Sequence, residues 1–80
     1  MIVVKIFLTI KVEPNYTDTV LSQLRSFKEV SQTCLVDRGC YDIIAIIDVE
    51  SFEDYRVFSV DTLAKLSHLE DYTSFITLGV

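Results

Sequence analysis

The chain has 80 residues, half of them hydrophobic, and a formal net charge of −5 at pH 7. This length predicts one domain spanning residues 1–80, because so short a chain can build only a modest core. Its seven lysine and arginine residues are spread along the sequence, which argues against direct nucleic-acid binding. The mean hydropathy of +0.38 is high for a soluble monomer and predicts that apolar surface is covered by a partner subunit.

The first predicted element is a strand over residues 2–12, in which every second residue is apolar. The segment is too short to cross a bilayer and contains Lys5 and Lys11. We therefore expect a soluble, cytoplasmic protein without contact to membranes. Pro14 ends the strand, because proline has no backbone N–H for the sheet.

A helix is predicted over residues 16–27, where apolar residues recur at helical spacing. Two strands follow, residues 30–36 and 41–49, joined by a turn at Asp37-Arg38-Gly39. The only cysteines, Cys34 and Cys40, flank this turn. We interpret them as two buried thiols, with a disulfide across the hairpin as the alternative.

A second helix is predicted from Ser51 to about Leu66, since Ser51 and Asp54 resemble a capping box. The closing strand, residues 72–78, is rich in β-branched and aromatic residues. The order β-α-β-β-α-β predicts an α+β, ferredoxin-like fold. Its antiparallel four-stranded sheet carries both helices on one face.

The other face of that sheet has no helix to cover it. In the strand over residues 41–49, alternate residues beginning with Tyr41 are expected to face the helices. The residues left on the uncovered face are strongly apolar, and we predict that they form a dimer interface: Phe7, Ile44, Ile46 and Phe75.

The most specific motif is Gly39-Cys40-Tyr41-Asp42, which leads directly into a long apolar strand. It resembles the Gly-x-Tyr/Phe-Asp signature of the RAM domain, the effector-binding domain of the Lrp/AsnC family of amino-acid-responsive transcription regulators. The segment over residues 72–78 resembles that family's closing Thr-x-Thr-x-Ile-Val-Leu strand, with Tyr72 and Ser74 in place of the two threonines. With the matching element order, the resemblance covers nearly the whole chain.

The resemblance implies homodimers packed sheet against sheet, which assemble into larger rings. An amino acid effector would bind between neighbouring dimers, with Gly39 allowing close backbone approach and Asp42 meeting the ammonium group. Tyr41 would wall the cleft, and Tyr72 and Ser74 would line it. The residues themselves give no sign of catalysis, so we expect a non-enzymatic module without cofactors. Lacking a helix-turn-helix, it would act through protein partners such as full-length Lrp/AsnC regulators.

Two other functions remain open at this point. Small dimeric α+β barrels with the same element order include monooxygenases, and a purely structural oligomerisation subunit would need no ligand. On residue type alone, Asp42 also fits a solvated turn residue that accepts a backbone hydrogen bond.

Other polar residues predict no catalytic or metal site. The acidic run Asp48, Glu50, Glu53 and Asp54 lacks the glycine and the ligand spacing of a calcium loop, and suits a solvated strand end and helix N-terminus. His68, the single histidine, has no partner at a ligand spacing and is expected in an exposed loop.

Overall fold

The computed structural model describes residues 4–77, which form four strands and two α-helices in the predicted order. These elements are β1 (Val4–Val12), α1 (Thr17–Arg25), β2 (Val30–Leu35), β3 (Ile43–Val49), α2 (Phe52–Asp61) and β4 (Leu69–Ile76). The strands form one antiparallel sheet in the order β2-β3-β1-β4. The predicted α+β, ferredoxin-like arrangement is therefore confirmed.

The alternation along β1 determines what each face of the sheet carries. Ile6, Leu8 and Ile10 are fully buried, whereas the intervening Phe7 and Thr9 are only partly buried. Burial of each large aliphatic side chain contributes roughly 1.5–3 kcal/mol. The core between sheet and helices is formed by Ile6, Leu8, Ile10, Val12, Val20, Leu21, Leu24, Ile43, Ala45, Ile47, Val49, Tyr55, Phe58 and Leu63.

Local sequence explains how the helices begin. Ser51 caps α2 as predicted, since its Oγ accepts a hydrogen bond from the backbone N–H of Asp54 at 3.1 Å. Such a cap stabilises a helix by about 1 kcal/mol. In α1, Asp18 lies in the first turn and Arg25 in the last, which complements the helix dipole at both ends.

Both helices are shorter than predicted. The helix expected to reach Leu66 ends at Asp61, and a 3-10 turn, Leu63–Lys65, follows. Eleven residues make about three helical turns, so a continued α-helix would place Leu63 on the same side as the exposed Phe52. The 3-10 turn instead brings Leu63 into the core, where it is 1% exposed. The first helix, expected over residues 16–27, is α-helical only from Thr17 to Arg25.

The closing strand starts earlier than predicted, at Leu69, because β4 pairs along β1 as far as Val12 through a register shift after Lys11. Glu70 and Asp71 are exposed, which is compatible with the position of β4 at the edge of the sheet. These two charged residues are untypical of a strand, so the sequence pattern did not indicate that the strand begins before them. Leu78, its predicted last residue, lies outside the described residues.

The cysteine prediction was wrong. Cys34 and Cys40 are free thiols and both are exposed. Cys34 lies on β2, which is an edge strand with one neighbour, and Cys40 lies in the turn between β2 and β3. No helix within residues 4–77 is long and apolar enough to cross a membrane.

Candidate functional site

The Gly39–Asp42 turn lies between β2 and β3, at the end of the sheet where β1 finishes. The backbone N–H of Val36 donates to the carbonyl of Asp42 at 2.9 Å and closes the loop. Gly39 has a φ of +142°, a conformation that residues with a Cβ rarely adopt. A Cβ there would meet Val36 only at an ordinary 3.7 Å, so the backbone conformation, not crowding, requires glycine.

Asp42 is tied to β1 through its backbone and its side chain. Its backbone N–H donates to the carbonyl of Ile10 at 2.8 Å, and its Oδ2 accepts from the backbone N–H of Val12 at 2.8 Å. The carboxylate thereby replaces a backbone acceptor at the end of the sheet. Oδ1 has no hydrogen-bond partner among residues 4–77, and the side chain is half-buried. One oxygen is thus fixed, while the other is available to a ligand.

Tyr41 lies on the sheet face opposite the helices, which we call the open face. Its hydroxyl is 3.0 Å from the Thr73 hydroxyl, and Thr73 is paired with Thr9 in the sheet. The prediction that Tyr41 faces the helices was wrong. Residues 41 and 42 precede β3, which begins at Ile43, so the strand alternation does not extend to them.

Tyr72 and Ser74 lie on the helix side of β4. The Ser74 hydroxyl is hydrogen-bonded to the hydroxyl of Tyr55 in α2. Burial raises the pKa of Tyr55 above its ordinary value, against an opposing effect of the Ser74 hydrogen bond. Tyr72 lines a cavity of about 260 Å³ beside Leu63 and Leu69.

Within one chain the five predicted effector residues therefore form two groups. Gly39, Tyr41 and Asp42 form the turn, whereas Tyr72 and Ser74 face the helices. Tyr72 is paired with Ile10, whose carbonyl accepts from Asp42, so Tyr72 and Asp42 lie at the same end of the sheet. Asp42 leads into β3 and Tyr72 lies on β4, and these two strands are separated by two strand spacings of about 4.8 Å each.

The four predicted interface residues all lie on the open face. Phe7 on β1 is paired with Ile46 on β3 and Phe75 on β4, and Ile44 is paired with Thr9 one step along. Phe75 is 56% exposed, while Phe7, Ile44 and Ile46 are partly exposed. The apolar centre of this face is consequently in contact with solvent in the single chain.

Polar residues border this apolar centre at both ends. Lys5 Nζ and Asp48 Oδ1 form an ion pair of 3.0 Å at one end. The hydroxyls of Tyr41, Thr73 and Thr9 lie at the other end, where Thr9 Oγ1 donates to the Thr73 carbonyl at 3.2 Å. The alternation along β1 already predicts Thr9 on the same face as Phe7. Thr73 was not predicted, although it lies two residues before Phe75 and therefore on the same face of β4.

The sequence over residues 5–80 matches the family model of the Lrp/AsnC ligand binding domain. The chain belongs to this family. The resemblance to the RAM domain is thereby confirmed. Because the Lrp/AsnC ligand-binding domain is a regulatory domain, the match favours a sensing module over the monooxygenase alternative. No curated protein sequence matches the chain significantly.

Solved structures show the same fold at low sequence identity. A hypothetical protein from Pyrococcus horikoshii superposes with a TM-score of 0.88 at 20% identity, over 94% of this chain and 89% of that one. AsnC from E. coli gives a TM-score of 0.88 at 18% identity, over 96% of this chain and 52% of that one. A transcriptional regulator from Neisseria meningitidis in complex with L-methionine gives 0.83 at 17% identity, over 94% and 49%.

The opposite end of this Lrp/AsnC domain carries the acidic run. A cavity of about 510 Å³ there is lined by charged and apolar residues, among them Lys28, Asp48, Asp54 and Phe58. Glu53 instead pairs with Arg56 at 2.6 Å, and this hydrogen bond lowers the pKa of Glu53. In the part of the chain that the structure describes, no three acidic, cysteine or histidine side chains are placed to hold a metal ion.

His68 is less exposed than expected for a loop residue of this domain. Its ring stacks on Tyr16 with 3.5 Å between the ring centroids, and its Nδ1 is 3.4 Å from Oε1 of Glu13. Its carbonyl also accepts from the backbone N–H of Glu13. The histidine thus joins the loop after β1 to the loop before β4.

Proposed function

We propose that this chain is a non-enzymatic, cytoplasmic amino-acid-sensing domain comprising residues 1–80. It dimerises through the open face, and the dimers assemble into larger rings. An amino acid binds between neighbouring dimers, beside the Gly39–Asp42 turn. The domain modulates transcription through protein partners such as full-length Lrp/AsnC regulators, since its net charge of −5 disfavours direct contact with DNA.

The observation that carries this proposal is the state of the Asp42 carboxylate. Its Oδ2 is held by the Val12 N–H, which fixes the group, while Oδ1 has no partner within residues 4–77. A fixed carboxylate oxygen binds an ammonium group through a charge-assisted hydrogen bond, at little cost in side-chain entropy. The glycine turn beside it offers backbone N–H groups that suit the carboxylate of an amino acid.

Tyr72 supports the placement of the effector at this end of the sheet. It is partly exposed and lies across Ile10 from Asp42. Ser74 contributes less directly, because its hydroxyl already bonds Tyr55. In the single chain the turn forms an open surface, and a neighbouring dimer would complete the cleft.

Asp42→Asn separates binding from structure. Asparagine keeps an oxygen acceptor for the Val12 N–H but removes the negative charge that recognises an ammonium group. We expect the wild type to take up an amino acid in native mass spectrometry and to melt at a higher temperature with it. Asp42→Asn should stay folded and lose both responses.

L-methionine is the first probe, because a structural neighbour was solved as its complex, and the remaining standard amino acids follow. Asp61→Asn is the matched control, since it removes an exposed carboxylate at the opposite end of the domain. A wild type that neither binds nor is stabilised by any of these amino acids would contradict the effector proposal.

A structural oligomerisation subunit is the second candidate. It is favoured by the same hydrogen bond, because an aspartate that replaces a backbone acceptor for Val12 is fully explained without a ligand. This alternative predicts an oligomer whose mass and melting temperature do not respond to any amino acid, in the wild type as in Asp42→Asn.

A further inference from the structure

We propose that Tyr41 couples the Gly39–Asp42 turn to the open face, so that amino acid binding at the turn and association of the open faces change each other's strength. This inference rests on the proposed effector site and the proposed dimer. It adds that Tyr41 is the residue through which effector binding and dimerisation affect each other. The family resemblance places Tyr41 in the wall of the effector cleft, and its contact with Thr73 also places it at the edge of the open face.

Tyr41 crosses the sheet. It precedes β3, yet its hydroxyl is 3.0 Å from Thr73 Oγ1 on β4, and β1 lies between these two strands. The distance spanned is about two strand spacings, or roughly 10 Å. The connection requires a long side chain with a polar group at its end, which tyrosine provides. Tyr41 thereby ties the turn to the strand that also carries Phe75.

The hydroxyls of Tyr41, Thr9 and Thr73 form a cluster at one end of the open face, which is the proposed contact surface. Thr9 lies beside Thr73 and donates to its carbonyl at 3.2 Å. Thr9 is also paired with Ile44, and Phe75 follows Thr73 on the same face. A second copy seated on this apolar centre would therefore meet the hydroxyl cluster and the ring of Tyr41 at its margin.

The turn is held from two sides. Asp42 fixes it to β1 through Ile10 and Val12, and the neighbouring Tyr41 fixes it to β4. A ligand on Asp42 Oδ1 that shifts the turn also shifts the Tyr41 ring at the edge of the open face. A partner sheet that contacts the ring restrains the turn in the same way. Thermodynamic linkage requires the two effects on affinity to be equal.

Tyr41→Phe and Thr73→Val remove the connection with little change of shape. Thr73→Ser is the conservative variant that keeps a hydroxyl. Two controls remove exposed hydroxyls outside this face, Tyr16→Phe and Thr19→Val, neither of which has a hydroxyl hydrogen bond among the described residues.

The first measurement needs no ligand. Hydrogen exchange of residues 36–42 is followed at protein concentrations above and below the dimer dissociation constant. We expect dimerisation to slow this exchange about fivefold in the wild type, in the two controls and in Thr73→Ser. About fivefold is the change in an equilibrium constant that one hydrogen bond typically contributes. In Tyr41→Phe and Thr73→Val the slowing should disappear. A purely local stabilising role would change exchange equally in monomer and dimer.

The second measurement determines the dimer dissociation constant by sedimentation velocity, without amino acid and with L-methionine, then with each remaining standard amino acid. We expect an amino acid that binds the wild type to change this constant about fivefold, and to leave it unchanged in Thr73→Val, which removes the same contact outside the proposed effector residues. An equal change in both proteins would overturn the coupling.

The outcomes separate this inference from the proposed function. Dimerisation that slows exchange in Tyr41→Phe as it does in the wild type overturns the coupling, while effector binding and dimerisation stand. If no amino acid binds the wild type, the effector proposal fails, and so does the proposed effect of the amino acid on dimerisation. The exchange experiment then decides whether dimerisation restrains the turn through Tyr41. A chain that is monomeric at every concentration overturns both the coupling and the dimer.

Discussion

Asp42 shows how one side chain supports both a structural and a binding interpretation. Its carboxylate completes the sheet at the end of β1, and the same contact orients the oxygen that remains available. Residue type and position in the turn allowed both interpretations, and only the contact with Val12 distinguishes the two oxygens. Such a contact joins residues 30 positions apart and leaves no periodic pattern in the sequence.

Removing the Asp42 acceptor should destabilise the fold independently of any ligand. Asp42→Ala leaves the Val12 N–H without an acceptor in a part-buried position, and we expect a loss of about 1–3 kcal/mol in urea unfolding. Asp42→Asn retains an acceptor and should unfold close to the wild type. Equal losses in the two variants would mean that the charge of Asp42, and not its acceptor, stabilises the turn.

Tyr55 should make the domain sensitive to alkaline pH. Burial raises its pKa in the folded state, so the folded protein retains this proton at pH values where the unfolded chain loses it. The corresponding stability is fully present below the ordinary tyrosine pKa of about 10 and is lost as the pH rises through the folded-state value. Urea unfolding between neutral and strongly alkaline pH measures this loss.

Tyr55→Phe is the matched variant for that titration. It leaves the ring in the core but removes the ionisable hydroxyl, so the alkaline fall in stability should be smaller than in the wild type. The variant should also be less stable by about 1 kcal/mol at neutral pH, because Ser74 loses its partner. An unchanged alkaline profile would assign the fall to another group.

At the level of elements, period-two and helical patterns were sufficient for the order and the faces of the strands. They placed Phe7, Ile44, Ile46 and Phe75 on one face because a strand alternates strictly wherever it is paired. The same rule failed for Tyr41, which lies before the first paired residue of β3. Periodicity therefore predicts a side chain's direction only within the hydrogen-bonded part of a strand.

Element ends were less predictable, for a physical reason. The apolar Leu63 falls within the length predicted for the second helix, yet helical geometry would direct it away from the core that it joins. Cys34 was not recognised as exposed because composition reveals neither that β2 lies at an edge nor that Cys34, paired with Ile44, lies on the open face. Both features follow from tertiary packing, which a local pattern does not contain.

The turn between β2 and β3 gives a test at this level. Gly39→Ala forces a residue with a Cβ into a φ of +142°, and we expect a loss of about 1–3 kcal/mol in thermal or urea unfolding. Arg38→Ala, at the neighbouring exposed position, serves as the control and should have little effect. A Gly39→Ala protein as stable as the wild type would show that the turn relaxes to another conformation.

At the level of the whole molecule, the open face carries an apolar centre that is in contact with solvent in the single chain: Phe7, Ile44, Ile46 and Phe75. A charge placed at its centre should oppose association, because burying an unpaired carboxylate is far more costly than leaving it in water. We expect Ile46→Asp and Phe7→Asp to convert the proposed dimer to a monomer in sedimentation velocity, with circular dichroism to confirm that the chain stays folded.

Val60→Asp provides the comparison that isolates the open face. Val60 lies on α2 and is 58% exposed, so the substitution adds the same charge to an apolar surface residue outside the sheet. It should leave the dimer dissociation constant unchanged. If Val60→Asp dissociates the dimer and Ile46→Asp does not, the copies associate through the helices, and the hydroxyl cluster around Tyr41 no longer borders the contact between them.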